Sequence, residues 1–423
     1  MEVDTNQEGN GGIDLWAFCR FLWATAFLLS LSPLHVGIVG CGTTGPAVAL
    51  FLRSMGHEVE ILEQASEALP VGAGFLLQPS GMGVLAELGV LEETLAHGST
   101  VRGLFAQTRE GRTLLDLPYA KVREGVFGAG LHRSVLLSLF LRELGKAGVN
   151  VKWNVRAMAL SEDQRFIIDA ESQRHGPYDV IIVADGARSE VRASLKLGER
   201  VKAYPWGALW WIGEDEHQDF DPQELYQIVE GTRFLTGFLP TGIPWDAEPG
   251  RQPSVSLFWS FRLADEEKWR DQPIETWKEQ VLVQCPKAER LLRKISSHED
   301  LSLASYRDVQ FRKWHTDRSV VVGDAGHAMS PQLGQGVNLG LLDAKALALS
   351  FERESSVVAA LSRYTRTRFW SLRYYQLATR WLTPVFQSDH DWIAPLRDLG
   401  FPLLNALPWT RGQMIRTMMG REL

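Results

Sequence analysis

The sequence predicts an α/β fold: a parallel sheet flanked by helices, an inserted and mostly antiparallel sheet lobe, and a helical C-terminal region. Short apolar runs at 36–39, 179–184 and 319–322 are typical of buried parallel strands. Residues 254–261 alternate between two faces, as a strand with one covered side does. Beyond Ala346 the chain has helical spacing and interleaves arginines with aromatic residues.

The first element in chain order is a strand, a glycine turn, a helix and a second strand over 35–64. Gly40, Gly42 and Gly45 form G-x-G-x-x-G where the strand becomes a helix. The spacing allows a tight turn, lets a pyrophosphate touch the backbone, and lets the helix pack on the strand. Glu63 ends the second strand, where its carboxylate can accept hydrogen bonds from a ribose. The unit predicts an adenine dinucleotide, with NAD and FAD both open.

Composition excludes some classes of protein. The 423 residues carry a net charge of -7, whereas a nucleic-acid binder needs a basic face. Cys19, Cys41 and Cys285 lie far apart, so they predict neither a metal site nor a vicinal redox disulfide. We therefore expect no metal and no nucleic-acid partner.

The N-terminal extension, 1–34, contains an apolar run at 15–31 that is interrupted by Arg20. A membrane-spanning helix needs about 20 apolar residues, so the run is short for a span. Three interpretations stay open: a membrane anchor, an apolar helix packed on the protein, or residues that are not in the working protein. The predicted location is correspondingly membrane-associated or cytoplasmic.

Two later stretches repeat the pattern of a buried strand that ends at an acid and a glycine. Strand 179–184 runs into Asp185-Gly186, and strand 319–322 runs into Gly323-Asp324. Between them, 201–306 is rich in aromatic residues at strand spacing and forms the inserted lobe.

These fingerprints resemble those of the class A flavin-dependent monooxygenases, the aromatic-hydroxylase type with a glutathione-reductase-like FAD fold. The resemblance covers roughly 35–346. It is carried by the three fingerprints in order: the glycine turn with its acid, the D-G pair, and the G-D pair followed by a histidine, a proline and G-Q-G-x-N. In this sequence the last group comprises His327, Pro331, Gly334, Gln335, Gly336 and Asn338. One small departure is Gly326, where an alanine is more usual.

The resemblance implies a role for each site residue. Glu63 would bind the ribose of FAD, Asp324 the ribityl chain, and the D-G stretch from Asp185 both nucleotides. Backbone N–H groups of the loop that follows Asp324 would face the flavin ring, and Pro331 would pack against one side of that ring. The loop residues concerned are Gly334, Gly336, Val337 and Asn338. Arg133 matches the family's flavin-contacting arginine, although an ordinary exposed helix arginine is the alternative. His327 is expected to pack beside the cofactor, and no catalytic residue is assigned.

The implied reaction uses FAD, with NAD(P)H as co-substrate, to insert one atom of O₂ into a small organic molecule through a flavin C4a-hydroperoxide. Aromatic side chains in the lobe suggest an apolar substrate, although core packing explains them equally well. Hydroxylation and epoxidation both fit. A Baeyer–Villiger enzyme, a flavin-dependent reductase and a flavin-holding membrane protein without turnover remain alternatives. The oligomeric state is left open.

The predicted domains follow from these assignments. The FAD-binding domain comprises 35–200 and 307–350, the substrate-binding lobe is 201–306, and the C-terminal helical region is 351–423. In that last region we favour an aromatic-anchored helix lying across the FAD-binding domain, with a helix on an anionic membrane surface as the alternative.

Overall fold

The structure is a computed structural model that describes residues 31–67, 74–248 and 250–420. The apolar run predicted as an anchor lies outside these ranges, apart from Leu31 at its end. Within the described ranges, every helix is too short or too polar to span a bilayer.

The secondary structure follows the α/β prediction. The strands are β1 (His35–Val39), β2 (Glu58–Leu62), β3 (Phe75–Leu77), β4 (Ser99–Val101), β5 (Gly103–Thr108), β6 (Thr113–Pro118), β7 (Gly128–Leu131), β8 (Asn150–Lys152), β9 (Ala157–Leu160), β10 (Ile167–Asp169), β11 (Arg174–His175), β12 (Val180–Val183), β13 (Arg200–Glu214), β14 (Glu224–Glu230), β15 (Phe234–Gly242), β16 (Ser254–Arg262), β17 (Ser302–Gln310) and β18 (Ser319–Val321). The helices are α1 (Thr44–Ser54), α2 (Pro79–Glu87), α3 (Leu91–His97), α4 (Arg133–Lys146), α5 (Glu266–Arg270), α6 (Ile274–Gln284), α7 (Glu289–Leu292), α8 (Asp324–His327), α9 (Gly336–Arg353), α10 (Val357–Phe386), α11 (Ile393–Ala406) and α12 (Pro408–Met419).

The predicted parallel sheet has the order β18-β12-β1-β2-β8, and all of its pairings are parallel. Strands β1, β12 and β18 are the apolar runs singled out in the sequence, and their side chains are almost wholly buried. Because the strands are parallel, their carboxyl ends lie at one edge of the sheet. Gly40, Asp185 and Gly323 follow those ends within one or two residues, so the three fingerprints meet at that edge.

The lobe is built on a seven-stranded sheet of order β17-β13-β16-β15-β14-β5-β6. Its pairings are antiparallel except for β14 with β5, which confirms the mostly antiparallel prediction. Strands β5 and β6 precede residue 201, so the sheet extends beyond the range predicted for the lobe. Alternating apolar and polar residues show that one face of a strand is covered, but they do not show to which sheet the strand belongs.

The two faces of this sheet have different neighbours. Leu209 and Trp259 belong to a core cluster that also contains Trp269 and Trp277 of α5 and α6, and the partly buried Trp211 packs against it. The residues that alternate with these in β13 and β16 point to the opposite face of the sheet, because successive side chains of a strand point to opposite faces. The lobe's own helices therefore cover one face, and the other is left for the FAD-binding domain and the C-terminal helices.

Helix α10 joins the two parts of the molecule. At about 1.5 Å per residue, its 30 residues span roughly 45 Å. The side chain of Gln376 donates to the carbonyl of Val309 at 2.7 Å. The prediction of an aromatic-anchored helix is only partly right: Tyr364 is buried, but Trp370 and Trp381 are each 73% exposed. Both tryptophans lie on the solvent side of α10. The alternation of aromatic residues with arginines in the sequence does not show which side of the helix each aromatic side chain faces.

Candidate functional site

The glycine turn after β1 is tightly packed on one side and open on the other. Gly40 has a φ of +100°, and a Cβ atom there would lie 2.6 Å from the carbonyl oxygen of Ala184. A Cβ atom on Gly45 would lie 2.1 Å from the carbonyl oxygen of Gly40, so α1 packs directly on the turn. At Gly42, no atom lies within 4 Å of an added Cβ. The turn therefore leaves space beside Gly42, as a pyrophosphate on the N-terminus of α1 requires.

Glu63 closes the same turn from β2. Its Oε2 accepts a hydrogen bond from the backbone N–H of Cys41 at 2.7 Å, and its Oε1 accepts one from Ala65 at 2.9 Å. The side chain is half-buried, and each oxygen keeps a lone pair for a ribose hydroxyl. Burial, with the charge of Glu63, raises the pKa of the Cys41 thiol to about 12, so Cys41 is not a reactive thiolate.

The D-G fingerprint connects the other two. Burial raises the pKa of the Asp185 carboxyl to about 6 although the positive charge of Arg192 opposes the shift. Its Oδ1 is buried without a hydrogen-bond partner. Arg192 is itself buried and donates to the carbonyl of Ala325 in α8 at 2.9 Å. Arg188 donates to the hydroxyl of Ser305 in β17 at 2.7 Å, so this stretch also contacts the lobe.

The G-D fingerprint follows β18 and carries an exposed carboxylate, that of Asp324. Gly323 has a φ of +59°, and a Cβ atom there would lie 2.5 Å from the hydroxyl of Thr44 in α1. The first and third fingerprints are therefore in contact. Asp324 is exposed, and its Oδ1 lies 3.7 Å from the position of a Cβ on Gly336. The carboxylate thus stands beside the N-terminus of α9 and faces open space.

The loop before α9 is fixed by Asn338, which is fully buried. Its Oδ1 accepts from the backbone N–H of Gln78 at 2.8 Å, and its Nδ2 donates to the carbonyl of Leu76 at 3.2 Å. Gly334 has a φ of +61°, a conformation that favours glycine. Val337 packs against the main core. The side chains of Asn338 and Val337 are thus used by the protein, which leaves backbone groups of this loop for a cofactor.

Arg133 is the first residue of α4 and is exposed. It lies close enough to Tyr306 of β17 for its positive charge to act on the phenol. Burial raises the pKa of Tyr306 to about 12, against the opposing effects of Trp210 and Arg133. The indole Nε1 of Trp210 donates to the hydroxyl of Tyr306 at 3.2 Å, and its ring packs on Phe258 at a centroid distance of 5.2 Å. Arg133 therefore stands where the FAD-binding domain meets the aromatic face of the lobe.

A buried charge cluster behind the G-D fingerprint was not predicted from the sequence. Asp343 of α9 is fully buried; its Oδ2 accepts from the backbone N–H of Gly323 at 2.9 Å and from Nε2 of His327 at 2.6 Å. Its Oδ1 accepts from Nε of Arg368 at 2.7 Å. Burial alone would raise the pKa of Asp343, but His327 and Arg368 outweigh it and hold the pKa well below its usual range. The sequence signal of this cluster was a single acidic residue, Asp343, in a mostly apolar stretch of helix.

This cluster also places His327. The imidazole is 1% exposed and its Nε2 is engaged by Asp343. His327 therefore supports the turn that carries Asp324 and does not project into the open space in front of it.

The residues at this edge fit an FAD molecule. The cradle beside Gly42 leaves room for a pyrophosphate, and the exposed carboxylate of Asp324 and the half-buried one of Glu63 keep acceptor capacity. Four buried side-chain atoms at the fingerprints lack a partner among the described residues: Asp185 Oδ1, His327 Nδ1, Ser330 Oγ and Gln335 Oε1. Unpartnered polar atoms of this kind are expected where a polar ligand completes the structure.

Comparisons with known proteins agree with this geometry. Residues 33–369 match the family model described as "FAD binding domain". The FAD-dependent monooxygenase atnJ of Arthrinium sp is 29% identical over 83% of this chain and 84% of its own length. The aurachin C monooxygenase/isomerase of Stigmatella aurantiaca is 27% identical over 79% of this chain and 85% of its own.

Among solved structures, Klebsiella pneumoniae HpxO complexed with FAD and uric acid superposes with a TM-score of 0.76. At 18% identity it covers 92% of this chain and 97% of its own, and it shows a common fold. The match over most of the chain and the curated relatives show that the chain belongs to the FAD binding domain family and is a class A, FAD-dependent monooxygenase.

Proposed function

We propose that the enzyme uses NAD(P)H and O₂ to insert one oxygen atom, by hydroxylation or epoxidation, into an apolar, planar organic molecule. The observation that carries the proposal is an aromatic wall formed by Trp210, Phe258 and Tyr306. This wall lies on the face of the lobe sheet that the lobe's own helices do not cover. A planar apolar ligand can stack on such a wall, with the Tyr306 hydroxyl and the Arg133 guanidinium as its polar contacts. The uric acid bound by HpxO supports a small organic substrate.

The site residues have separate tasks in this proposal. Glu63 and Asp324 hold the hydroxyls of FAD, and the space beside Gly42 takes its pyrophosphate. The backbone N–H groups of Gly336 and Val337, at the positive N-terminus of α9, stabilise negative charge on the reduced ring. When bound, FAD supplies the transfer of electrons from NAD(P)H to O₂. The protein need only orient the substrate and exclude water, so we expect no acid–base triad in the site.

We assign the NAD(P)H contact to the D-G stretch. Arg188 follows Asp185 by three residues and is exposed between the FAD-binding domain and the lobe, whereas Arg192 is buried and donates to the carbonyl of Ala325. Phosphates are bound well by arginine, whose planar group can donate two parallel hydrogen bonds. The sequence contains no second G-x-G-x-x-G unit for a separate nicotinamide domain.

The test is a compound screen with purified full-length protein under ¹⁸O₂. Yellow protein, NAD(P)H oxidation that rises with substrate, and a product that gains one ¹⁸O atom support the proposal. Turnover without O₂ consumption would identify a reductase, and insertion next to a carbonyl would identify a Baeyer–Villiger enzyme. Colourless protein that does not take up added FAD would end the assignment of the cofactor site.

Neighbouring tryptophans of β13 provide a matched pair of variants. Trp210 belongs to the proposed substrate wall, whereas Trp211 packs against the lobe's own core. Trp210→Leu should lower the substrate-stimulated rate of NAD(P)H oxidation at least tenfold, and Trp211→Leu should change stability with little effect on that rate. Equal loss of rate in both variants would contradict a substrate position at the Trp210 face.

A further inference from the structure

An apolar stripe lies on the outer surface of the C-terminal helices. It consists of six large side chains, each 56% to 73% exposed: Trp392, Leu396, Leu399, Leu403, Leu407 and Trp409. From Trp392 to Leu407 they recur every three or four residues, which places them on one side of α11. No described segment of the chain covers them. A patch of this kind is unusual on a soluble monomer unless it binds something.

The opposite side of α11 is fixed to the lobe, so the stripe is held facing outward. Phe401 packs on Phe386 at a centroid distance of 5.3 Å. Arg397 is 3% exposed and donates to the carbonyl of Gly231. The side-chain oxygen of Asn405 accepts from the backbone N–H of Asp116 in β6 at 3.2 Å. Rotating α11 to bury the stripe would break these contacts, which span most of the helix.

We propose that the stripe binds a second copy of this chain, with the two α11 helices packed antiparallel about a two-fold axis. A two-fold axis brings the same patch of both copies together, which an apolar stripe without charges allows. Tryptophan buries about 200 Å² and leucine on the order of 100 Å². At the observed exposures the six side chains therefore offer roughly 530 Å² per copy, about two thirds of the ~800 Å² per partner of a stable interface.

Charge favours a second copy over a lipid surface. Interfacial helices present lysine or arginine on their polar side and so bind anionic lipids. Of the two helices that carry the stripe, α11 has a single basic side chain, Arg397, which is turned into the protein, and α12 has two, Arg411 and Arg416. The exposed acids just before the stripe, Asp389 and Asp391, pair with Arg262 and Arg233, so these two arginines are not free to bind anionic lipid. An interface between two identical chains has no such requirement for basic residues.

The first test measures the mass of the full-length, FAD-loaded protein by sedimentation at micromolar concentration. We expect twice the 47.5 kDa of one chain, and a single chain for Leu399→Glu/Leu403→Glu. The matched control is Val283→Glu on α6, which also replaces an exposed apolar residue and should leave the dimer intact. A wild-type monomer, or a double variant of unchanged mass, overturns the proposal. So does monomeric wild-type protein that sediments with phosphatidylglycerol vesicles when the double variant does not.

The second test keeps the stripe nearly unchanged. Leu399 lies at the middle of the stripe, so in an antiparallel pair it faces its own copy across the axis. Leu399→Cys should form a disulfide-linked dimer under mild oxidation, whereas Val283→Cys and the unchanged protein should not. Absence of the link in Leu399→Cys, or an equal yield in all three proteins, contradicts the two-fold arrangement.

Discussion

Asp324 and Asp343 are two carboxylates of the same region with opposite environments. Asp343 is fully buried and accepts hydrogen bonds from Gly323, His327 and Arg368. Asp324 is exposed beside the N-terminus of α9. The protein therefore uses one acid to hold the turn and leaves the other free for a ligand. Removal of Asp343 should affect folding, and removal of Asp324 should affect binding.

The glycines of the first turn show the same contrast. A side chain on Gly45 would collide with the carbonyl oxygen of Gly40, whereas one on Gly42 would meet no protein atom within 4 Å. Both belong to the same fingerprint, but only Gly45 is required by the packing of the protein itself. The reason for a glycine at Gly42 is therefore the space that a ligand needs there.

The largest expected effect is that of Asp343→Ala. The substitution leaves Arg368 and His327 buried without their anion, which costs about 3–5 kcal/mol of unfolding free energy. Urea unfolding of the protein without FAD, followed by circular dichroism, measures the loss. Asp324→Ala is the matched control and should stay within about 0.5 kcal/mol of the unchanged protein. Similar losses in both variants would contradict the division between the two carboxylates.

Acid should act through the same cluster. Because the folded pKa of Asp343 is depressed, its contribution is complete above the unfolded value of about 4 and is lost as the pH falls below it. The unfolding free energy of the unchanged protein should therefore fall more steeply than that of Asp343→Asn as the pH is lowered from about 4. Parallel curves for the two proteins would show that Asp343 does not carry this pH dependence.

Next in size is the difference between Gly45→Ala and Gly42→Ala. Gly45→Ala forces α1 away from the turn and should cost about 1–3 kcal/mol of stability in the protein without FAD. Gly42→Ala should leave that stability within about 0.5 kcal/mol but weaken FAD binding, because its methyl group enters the proposed pyrophosphate space. Calorimetry of the apoprotein and titration with FAD measure the two effects. Unimpaired FAD binding by Gly42→Ala would show that the pyrophosphate lies elsewhere.

Asp324→Ala and Glu63→Ala should each weaken FAD binding by about 10- to 100-fold, since each removes a charged hydrogen-bond acceptor. Glu63→Ala should also lower stability, because the N–H groups of Cys41 and Ala65 lose their acceptor. Retention of bound flavin through gel filtration measures the effect, with the exposed Glu124→Ala as control. Unchanged retention in both acid variants would mean that the cofactor is misplaced.

The smallest effect is expected for Tyr306→Phe. It removes the acceptor of the Trp210 N–H, worth about 1 kcal/mol, so kcat/KM for the substrate should fall by about fivefold. Since burial raises the pKa of Tyr306 to about 12, the phenol stays protonated at pH values well below that. The shape of the kcat/KM profile from pH 6 to about pH 10 should therefore be the same in both proteins. A pH break that disappears in Tyr306→Phe would show that the phenol titrates in that range.

Much of the fold could be predicted because it depends on local patterns. A glycine turn between a strand and a helix, with an acid at the end of the next strand, is a local arrangement, and it placed Gly40, Gly45 and Glu63 correctly at the sheet edge. Strands β5 and β6 could not be assigned to the lobe sheet, since they join it only through the parallel pairing of β5 with β14, whose residues lie far apart in sequence.

The sequence by itself determined the parallel sheet and the three fingerprints, because each depends on short-range spacing, and the family that the fingerprints resemble implied FAD as the cofactor. Only the tertiary structure decided what the polar residues do. It showed Asp343 and Arg368 as a buried pair, Trp210 beside Tyr306, and Trp370 and the stripe on α11 at the surface. Burial and partnership depend on which distant segments pack together, and a one-dimensional pattern does not contain that information.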